Sequence, residues 1–157
     1  MRRLQCPTHT TNRVFCISKT ITKLSVIPKI RVFAWRLAHN GLPVGKRLWE
    51  AGFSTGACPM CCIVEETIVH EFKECWYAKQ TFEVAGFSGI SCALDGDSGM
   101  CWLEDLARKL PTKRFAEFVI LLWNIWNGRN AQVLQKEFIS ARNQTARGAV
   151  RTDAGPR

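Results

Sequence analysis

The sequence predicts a mainly α-helical protein, a small helical domain with an αα-hairpin in its first half and a long helix near its C-terminal end. Apolar residues recur at helical spacing in several segments, and Gly or Pro falls where these segments should end. The chain has 157 residues, of which 46% are hydrophobic, with six Trp and nine Phe. It is therefore long enough to bury a core of its own.

The αα-hairpin is predicted from two short amphipathic segments. The first, residues 29–40, follows Pro28 and carries its apolar residues on one face; the second, residues 44–51, stops at Gly52. The tight Gly-Leu-Pro turn at 41–43 joins them. The aromatic residues of the hairpin are expected mainly to pack in the core, with stacking on nucleobases as the alternative; they are Phe33, Trp35 and Trp49.

Three further helices follow the hairpin. Apolar residues between Phe72 and Val84 predict a helix that ends before Gly86. A short amphipathic helix is predicted over 102–110, before Pro111, and the longest over 112–135. The Gly-, Ser- and Asp-rich residues between the first two are typical of a loop.

A compact set of potential metal ligands lies in the middle of the chain. Two residues separate Cys58 from Cys61, His70 follows after eight more, and Cys75 after another four. Three thiolates and one imidazole complete a tetrahedral set that suits Zn²⁺. We expect residues 62–69 to start a helix that brings His70 back over the cysteine turn. Four protein ligands leave no position for a catalytic water, so the predicted site is structural.

Other interpretations of these cysteines are weaker. A redox pair would favour a βαβ setting, and eight Cys in 157 residues are too dilute for a disulfide scaffold. No Cys and His in the sequence stand out as the activated pair of a cysteine protease. Ordinary buried thiols are the main alternative to a zinc site. The remaining cysteines are expected to be free thiols in a reducing compartment; they are Cys6, Cys16, Cys62, Cys92 and Cys101.

The charge distribution favours an acidic partner. The net charge is +9; residues 1–49 carry ten Lys or Arg and no acidic residue, whereas residues 50–75 carry five Glu and one Lys. Nucleic acid is the commonest such partner, although a solvated basic face has the same composition. The candidate contacts are Lys29, Arg31, Arg36, Lys46 and Arg47. The most apolar run, 118–123, is too short to span a membrane, and we expect an intracellular protein of the nucleus or cytoplasm.

Several segments in the same order resemble the zinc-binding domain of plant non-LTR (LINE-type) reverse transcriptases. They are PKIRVFAWRLAHNGLPVGKRLWEAGF, CPMC, EETIVHEFKEC and WYAKQTF, with LLWNIWNGRNAQVLQ downstream. The family's metal ligands fall by position on Cys58, Cys61, His70 and Cys75. One departure is Cys62, where the family usually has Gly, so a Gly-dependent turn could be strained or the extra thiol could compete for the metal.

Composition and the resemblance together divide the chain into a basic segment 1–27, a zinc-binding domain 28–86, a loop 87–100, a helical segment 101–138 and a polar, disordered tail 139–157. In that family the module lies between polymerase and RNase H domains. We expect no polymerase or nuclease activity here, although Asp153 lies in a short stretch faintly like the start of an RNase H domain.

Two functions remain open from the sequence. The first is a zinc-stabilised module that binds RNA or an RNA–DNA hybrid non-specifically. The second is a structural or protein-interaction connector, or a decayed relic of a retroelement.

Overall fold

The computed structural model describes residues 16–52, 55–91 and 98–135. In these ranges the chain forms α-helices, one short π-helix and a single isolated β-bridge, with no strand. The elements are α1 (Ile17–Thr22), α2 (Pro28–Ala38), α3 (Gly45–Glu50), the π-helix (His70–Glu74), α4 (Trp76–Val84), α5 (Ser88–Ser91), α6 (Gly99–Lys109) and α7 (Thr112–Gln135). The predicted mainly α-helical fold is confirmed. The predicted tail 139–157, with Asp153, lies outside the described residues.

Helices α2 and α3 follow each other through a tight turn, as predicted. Pro28 is the first residue of α2, where its missing N–H and fixed φ cost nothing. After Ala38, Asn40 takes a left-handed φ of 54° and the Gly41 N–H donates to the Arg36 carbonyl at 2.7 Å. The Arg47 guanidinium of α3 reaches back to the Asn40 carbonyl at 2.8 Å and so ties the two helices together.

Helices α1, α2, α6 and α7 enclose the main core. Phe33 of α2 lies edge-on to Phe72 of the π-helix, with ring centroids 5.9 Å apart, and to Trp123 of α7 at 5.3 Å. Ile17 and Ile21 of α1 are almost completely buried. The last residues of the predicted basic segment 1–27 therefore contribute to the same core as α7.

Helices α4 and α6 pack around Phe118 of α7. Phe82 of α4 stacks on it at 5.0 Å, and Trp102 of α6 meets it edge-on at 5.7 Å. Helix α7 begins at Thr112 as predicted and continues to Gln135, the last described residue of this range. In the described part of the chain, no helix has the length and apolar character needed to cross a membrane.

Two sequence expectations in this region are wrong. The helix predicted over 72–84 is interrupted at Cys75, whose ψ of 137° is extended, because the π-helix ends there and α4 begins anew. Cys101 is disulfide-bonded, so it is not the free thiol that we expected. Cys16 and Cys62 are free.

Candidate metal centre

The four predicted metal ligands meet at one point of the fold. The ligand atoms of Cys58, Cys61, His70 and Cys75 all lie within 4.8 Å of one another. The Cys58 and Cys75 Sγ atoms are 3.9 Å apart, and Cys61 Sγ lies 3.4 Å from His70 Nε2. A zinc tetrahedron with bonds of about 2.3 Å to sulfur and about 2.1 Å to nitrogen has edges of about 3.8 Å and about 3.6 Å. The donor set therefore fits Zn²⁺ in both chemistry and spacing.

A short extended clamp holds the cysteine turn. The Cys58 N–H donates to the Val64 carbonyl at 2.8 Å, and the Cys62 N–H closes the turn on the Cys58 carbonyl at 2.8 Å. An antiparallel bridge pairs Ala57 with Glu65 beside them. The helix predicted over 62–69 is thus wrong for residues 62–67, because their backbone groups are committed to this clamp. Helical structure begins only at Ile68.

The π-helix brings His70 and Cys75 to the same side. Residues five apart point about 140° apart around an α-helix, too far to share one ion. Here the Cys75 N–H donates to the His70 carbonyl at 2.7 Å, the i→i+5 bond of a π-helix. The wider turn, followed by extended backbone at Cys75, places both side chains at the cluster. Sequence spacing alone gave no sign of this turn.

The protonation states of the four ligands make metal binding dependent on pH. The hydrogen bond to Cys75, together with burial, raises the pKa of the Cys58 thiol, whereas the same bond lowers the pKa of Cys75. Burial lowers the pKa of His70, which keeps its imidazole neutral and able to bind a metal. Metal binding must displace the proton that Cys58 retains, so zinc affinity should fall as the pH falls.

A buried ion pair ties the metal-binding segment to α7. Both Glu66 and Arg129 are nearly inaccessible, and the guanidinium donates two bonds of 2.6 Å to the two carboxylate oxygens. Glu66 Oε2 also accepts a hydrogen bond from the Gly45 N–H at the start of α3. The Glu66 carboxylate thus connects the metal-binding segment, α3 and α7. Neither residue was predicted from the sequence, although Arg129 interrupts an otherwise apolar stripe.

Gly45 is required by this arrangement. A Cβ there would lie 2.8 Å from Glu66 Oε2 and 2.9 Å from the Gly56 carbonyl. Because both neighbours are held by other bonds, any side chain at 45 would push the carboxylate away from Arg129.

A second buried carboxyl, Glu71, lies directly beside the cluster. Its Oε2 atom is 3.8 Å from Cys58 Sγ. Burial, followed by the nearby charge of Glu66, raises the pKa of Glu71 well above its usual range. A protonated Glu71 adds no negative charge next to the thiolates. The sequence did not distinguish it from the exposed Glu residues around it.

Cys62 stands outside the cluster and occupies a strained turn. Its side chain is exposed, with Sγ 3.7 Å from the Pro59 carbonyl, and its backbone has a left-handed φ of 57°. The competing thiol considered from the sequence is therefore not among the clustered donors. The strained turn that we expected is present.

Replacing Cys62 with Gly should stabilise the protein. A left-handed conformation costs a residue with a Cβ about 1–2 kcal/mol, and glycine adopts it freely. Greater freedom of Gly in the unfolded chain offsets part of this gain. We expect Cys62→Gly to raise the free energy of unfolding by about 0.5–1 kcal/mol in urea titrations, and Cys62→Ala to give no gain. Equal effects of the two substitutions would contradict the strain argument.

The predicted nucleic-acid contacts occupy different environments. Lys29 and Arg36 are exposed on α2, with Lys29 Nζ 5.9 Å from the Trp123 ring centroid. The half-buried Arg31 donates to the Leu24 carbonyl at 3.2 Å and the Val26 carbonyl at 2.8 Å. The exposed Arg47 caps the turn after α2, and the Lys46 side chain is outside the described part of the structure.

The hairpin aromatics also differ. Phe33 is buried as expected, but Trp35 and Trp49 are 49% and 58% exposed. Core packing is therefore wrong for both tryptophans.

Comparison with known proteins agrees with the site. A family model described as zinc-binding in reverse transcriptase matches residues 5–82, a range that contains all four clustered ligands. Neither the curated proteins nor the solved structures contain a match. The family match and the donor set together confirm the prediction of Zn²⁺ as the cofactor. Over residues 5–82, the chain belongs to the family of reverse-transcriptase zinc-binding domains.

Proposed function

We propose that Cys58, Cys61, His70 and Cys75 hold one structural Zn²⁺ in a non-catalytic module that binds nucleic acid. The module would derive from the reverse transcriptase of a LINE-type retrotransposon. The convergence of four protein donors at tetrahedral spacing carries the structural part of the proposal. Such a set leaves the ion no open position for water, and a closed zinc site stabilises the fold.

The basic first third of the chain carries the nucleic-acid part. Residues 1–49 contain ten cationic and no acidic side chains, and α2 exposes Lys29 and Arg36. Arg31 and Arg47 each use one guanidinium nitrogen on backbone carbonyls, and Arg has five N–H donors, so phosphate contacts remain available to them. RNA or an RNA–DNA hybrid would be held by its phosphates, without a fixed sequence.

The salt dependence of binding tests this proposal. For wild-type protein and a labelled RNA, the logarithm of the association constant should fall linearly with the logarithm of salt concentration, by about 0.7 per phosphate contact on a single strand. Lys29→Gln with Arg36→Gln should reduce that slope by about 1 to 2. The control, Lys109→Gln with Lys113→Gln, removes two exposed charges from α6 and α7 and should leave the slope unchanged.

Two outcomes would overturn the proposal. One is the absence of RNA binding by zinc-loaded protein at low salt. The other is an equal decrease of the salt-dependence slope in both double variants. Such a result would show that binding depends on the net charge of the protein and not on Lys29 and Arg36.

A protein-interaction connector is the second candidate. The surface of residues 63–65, next to the metal ligand Cys61, favours this candidate. Ile63 is 82% exposed and Val64 44%, next to the exposed Glu65. An apolar, acidic tip suits a protein surface better than a phosphate backbone. Replacing Ile63 and Val64 with Ser should leave RNA affinity unchanged if α2 binds nucleic acid. A loss of RNA affinity would instead place the binding site at residues 63–65.

A further inference from the structure

We infer that the exposed face of α2 is a stacking platform for unpaired bases, so that the module prefers single-stranded nucleic acid. The inference rests on the proposed nucleic-acid function and adds the strand class and the contacting residues. We call this surface the α2 platform; its members are Lys29, Val32, Trp35, Arg36 and His39.

The platform residues share one face of the helix. Val32, Trp35, Arg36 and His39 follow the spacing i, i+3, i+4, i+7, and all are exposed. The opposite face of α2 is buried in the core, including Ile30, which is completely inaccessible. The buried face of α2 therefore makes the core contacts, and Trp35 lies on the other face. An indole that stays 49% exposed on such a helix offers a large apolar ring to a ligand.

The Trp35 ring is held in place before any ligand binds. It stacks on the His39 imidazole with centroids 4.3 Å apart and an interplanar angle of 26°. His39 Nδ1 lies 2.8 Å from the Trp35 carbonyl, which fixes the imidazole in turn. Two rings already ordered lose little conformational entropy when a base stacks on them.

Cationic side chains flank the stacked rings. Arg36 follows Trp35 in the chain and is exposed on the same face. The Arg47 guanidinium is bound to the carbonyl of Asn40, the residue after His39. Phosphates of a strand whose base stacks on Trp35 would thus meet positive charge. Charge complementarity, in a stretch without acidic residues, selects nucleic acid as the occupant of this aromatic surface.

The same geometry selects single strands. Bases in a duplex already stack on each other, so their faces are closed to a protein ring, whereas unpaired bases stack readily on aromatic side chains. Phosphate contacts alone would not make this distinction. A preference for single strands is therefore the property that separates the α2 platform from a merely basic surface.

The test compares two exposed tryptophans on two probes. Zinc-loaded wild type, Trp35→Ala, Trp35→Phe and Trp49→Ala are titrated with a 12-nucleotide single-stranded RNA and with its duplex. We expect Trp35→Ala to weaken single-strand binding at least about fivefold, since one stacked base is worth that much or more. Duplex binding should stay unchanged. Trp35→Phe should restore most of the affinity, and Trp49→Ala, a control of similar exposure on α3, should have no effect.

The outcomes separate this inference from the proposed function. Equal affinity of wild type for both probes, or no loss in Trp35→Ala, would overturn the platform and leave phosphate binding intact. An equal loss in Trp49→Ala would place stacking outside α2 and also overturn it. Absence of binding to both probes would overturn the platform and the proposed function together. Melting curves of the variants establish that each is folded.

Discussion

Replacing His70 with Ala together with Cys75 with Ser should abolish zinc binding and destabilise the protein strongly. The double variant keeps only two of the four clustered donors. Structural zinc is worth about 10–16 kcal/mol to small finger peptides, and zinc at about 1,000 times its Kd stabilises a folded protein by about 4 kcal/mol. We therefore expect about one zinc per chain in the wild type by mass spectrometry, none in the variant, and a much lower melting temperature.

Cys62→Ser is the matched control for this experiment. Cys62 is next to Cys61 in the chain, but its exposed thiol is outside the cluster. The control should retain its zinc and lose little stability. If it loses zinc as completely as the double variant, the assignment of the four ligands is wrong. A wild type without zinc, after expression in zinc-containing medium, would contradict the site itself.

The damage from zinc loss should be uneven along the chain. The clamp around Cys58 and the π-helix have the metal as their shared point of attachment, so hydrogen exchange should accelerate first between residues 56 and 75. Helices α2 and α7 meet in the core through Phe33 and Trp123. Their helical circular dichroism should largely survive chelation at 25 °C. Complete loss of the helical signal would show that zinc controls the whole fold.

Arg129→Met is expected to cause the second large loss. The substitution preserves much of the side-chain volume but leaves Glu66 buried without its cation. Removing one partner of a buried pair typically costs about 3–5 kcal/mol, because the remaining charge stays desolvated. Urea titration of the zinc-loaded protein should show a loss of this size.

Arg114→Met supplies a control on the same helix. Arg114 pairs with Glu117 at 3.0 Å, but their side chains are 42% and 27% exposed, and pairs of this kind contribute about 0–1 kcal/mol. Glu66→Leu combined with Arg129→Met should recover part of the loss, because no buried charge then remains unpaired. If Arg129→Met lowers the free energy of unfolding no more than Arg114→Met does, the Glu66–Arg129 ion pair does not anchor the metal-binding segment.

The sequence by itself determined the local features. Helical periodicity and the Gly and Pro residues gave α2, α3 and the start of α7 at Thr112. The spacing of four Cys and His residues gave the donor set and the choice of zinc. These features depend on short stretches of chain and on the chemistry of individual side chains, which the sequence states directly. The possible strain at Cys62 came from the family resemblance instead, because the family usually has Gly at that position.

Tertiary contacts decided the rest. The π-helix places His70 and Cys75 at the same point, and the segment before it is extended, with its backbone bonds in the clamp around Cys58. Glu66 and Arg129 are 63 residues apart, and only the packing of α7 against the zinc segment brings them together. Each of these outcomes depends on which surfaces meet in the folded chain, and periodicity within one segment contains no information about that.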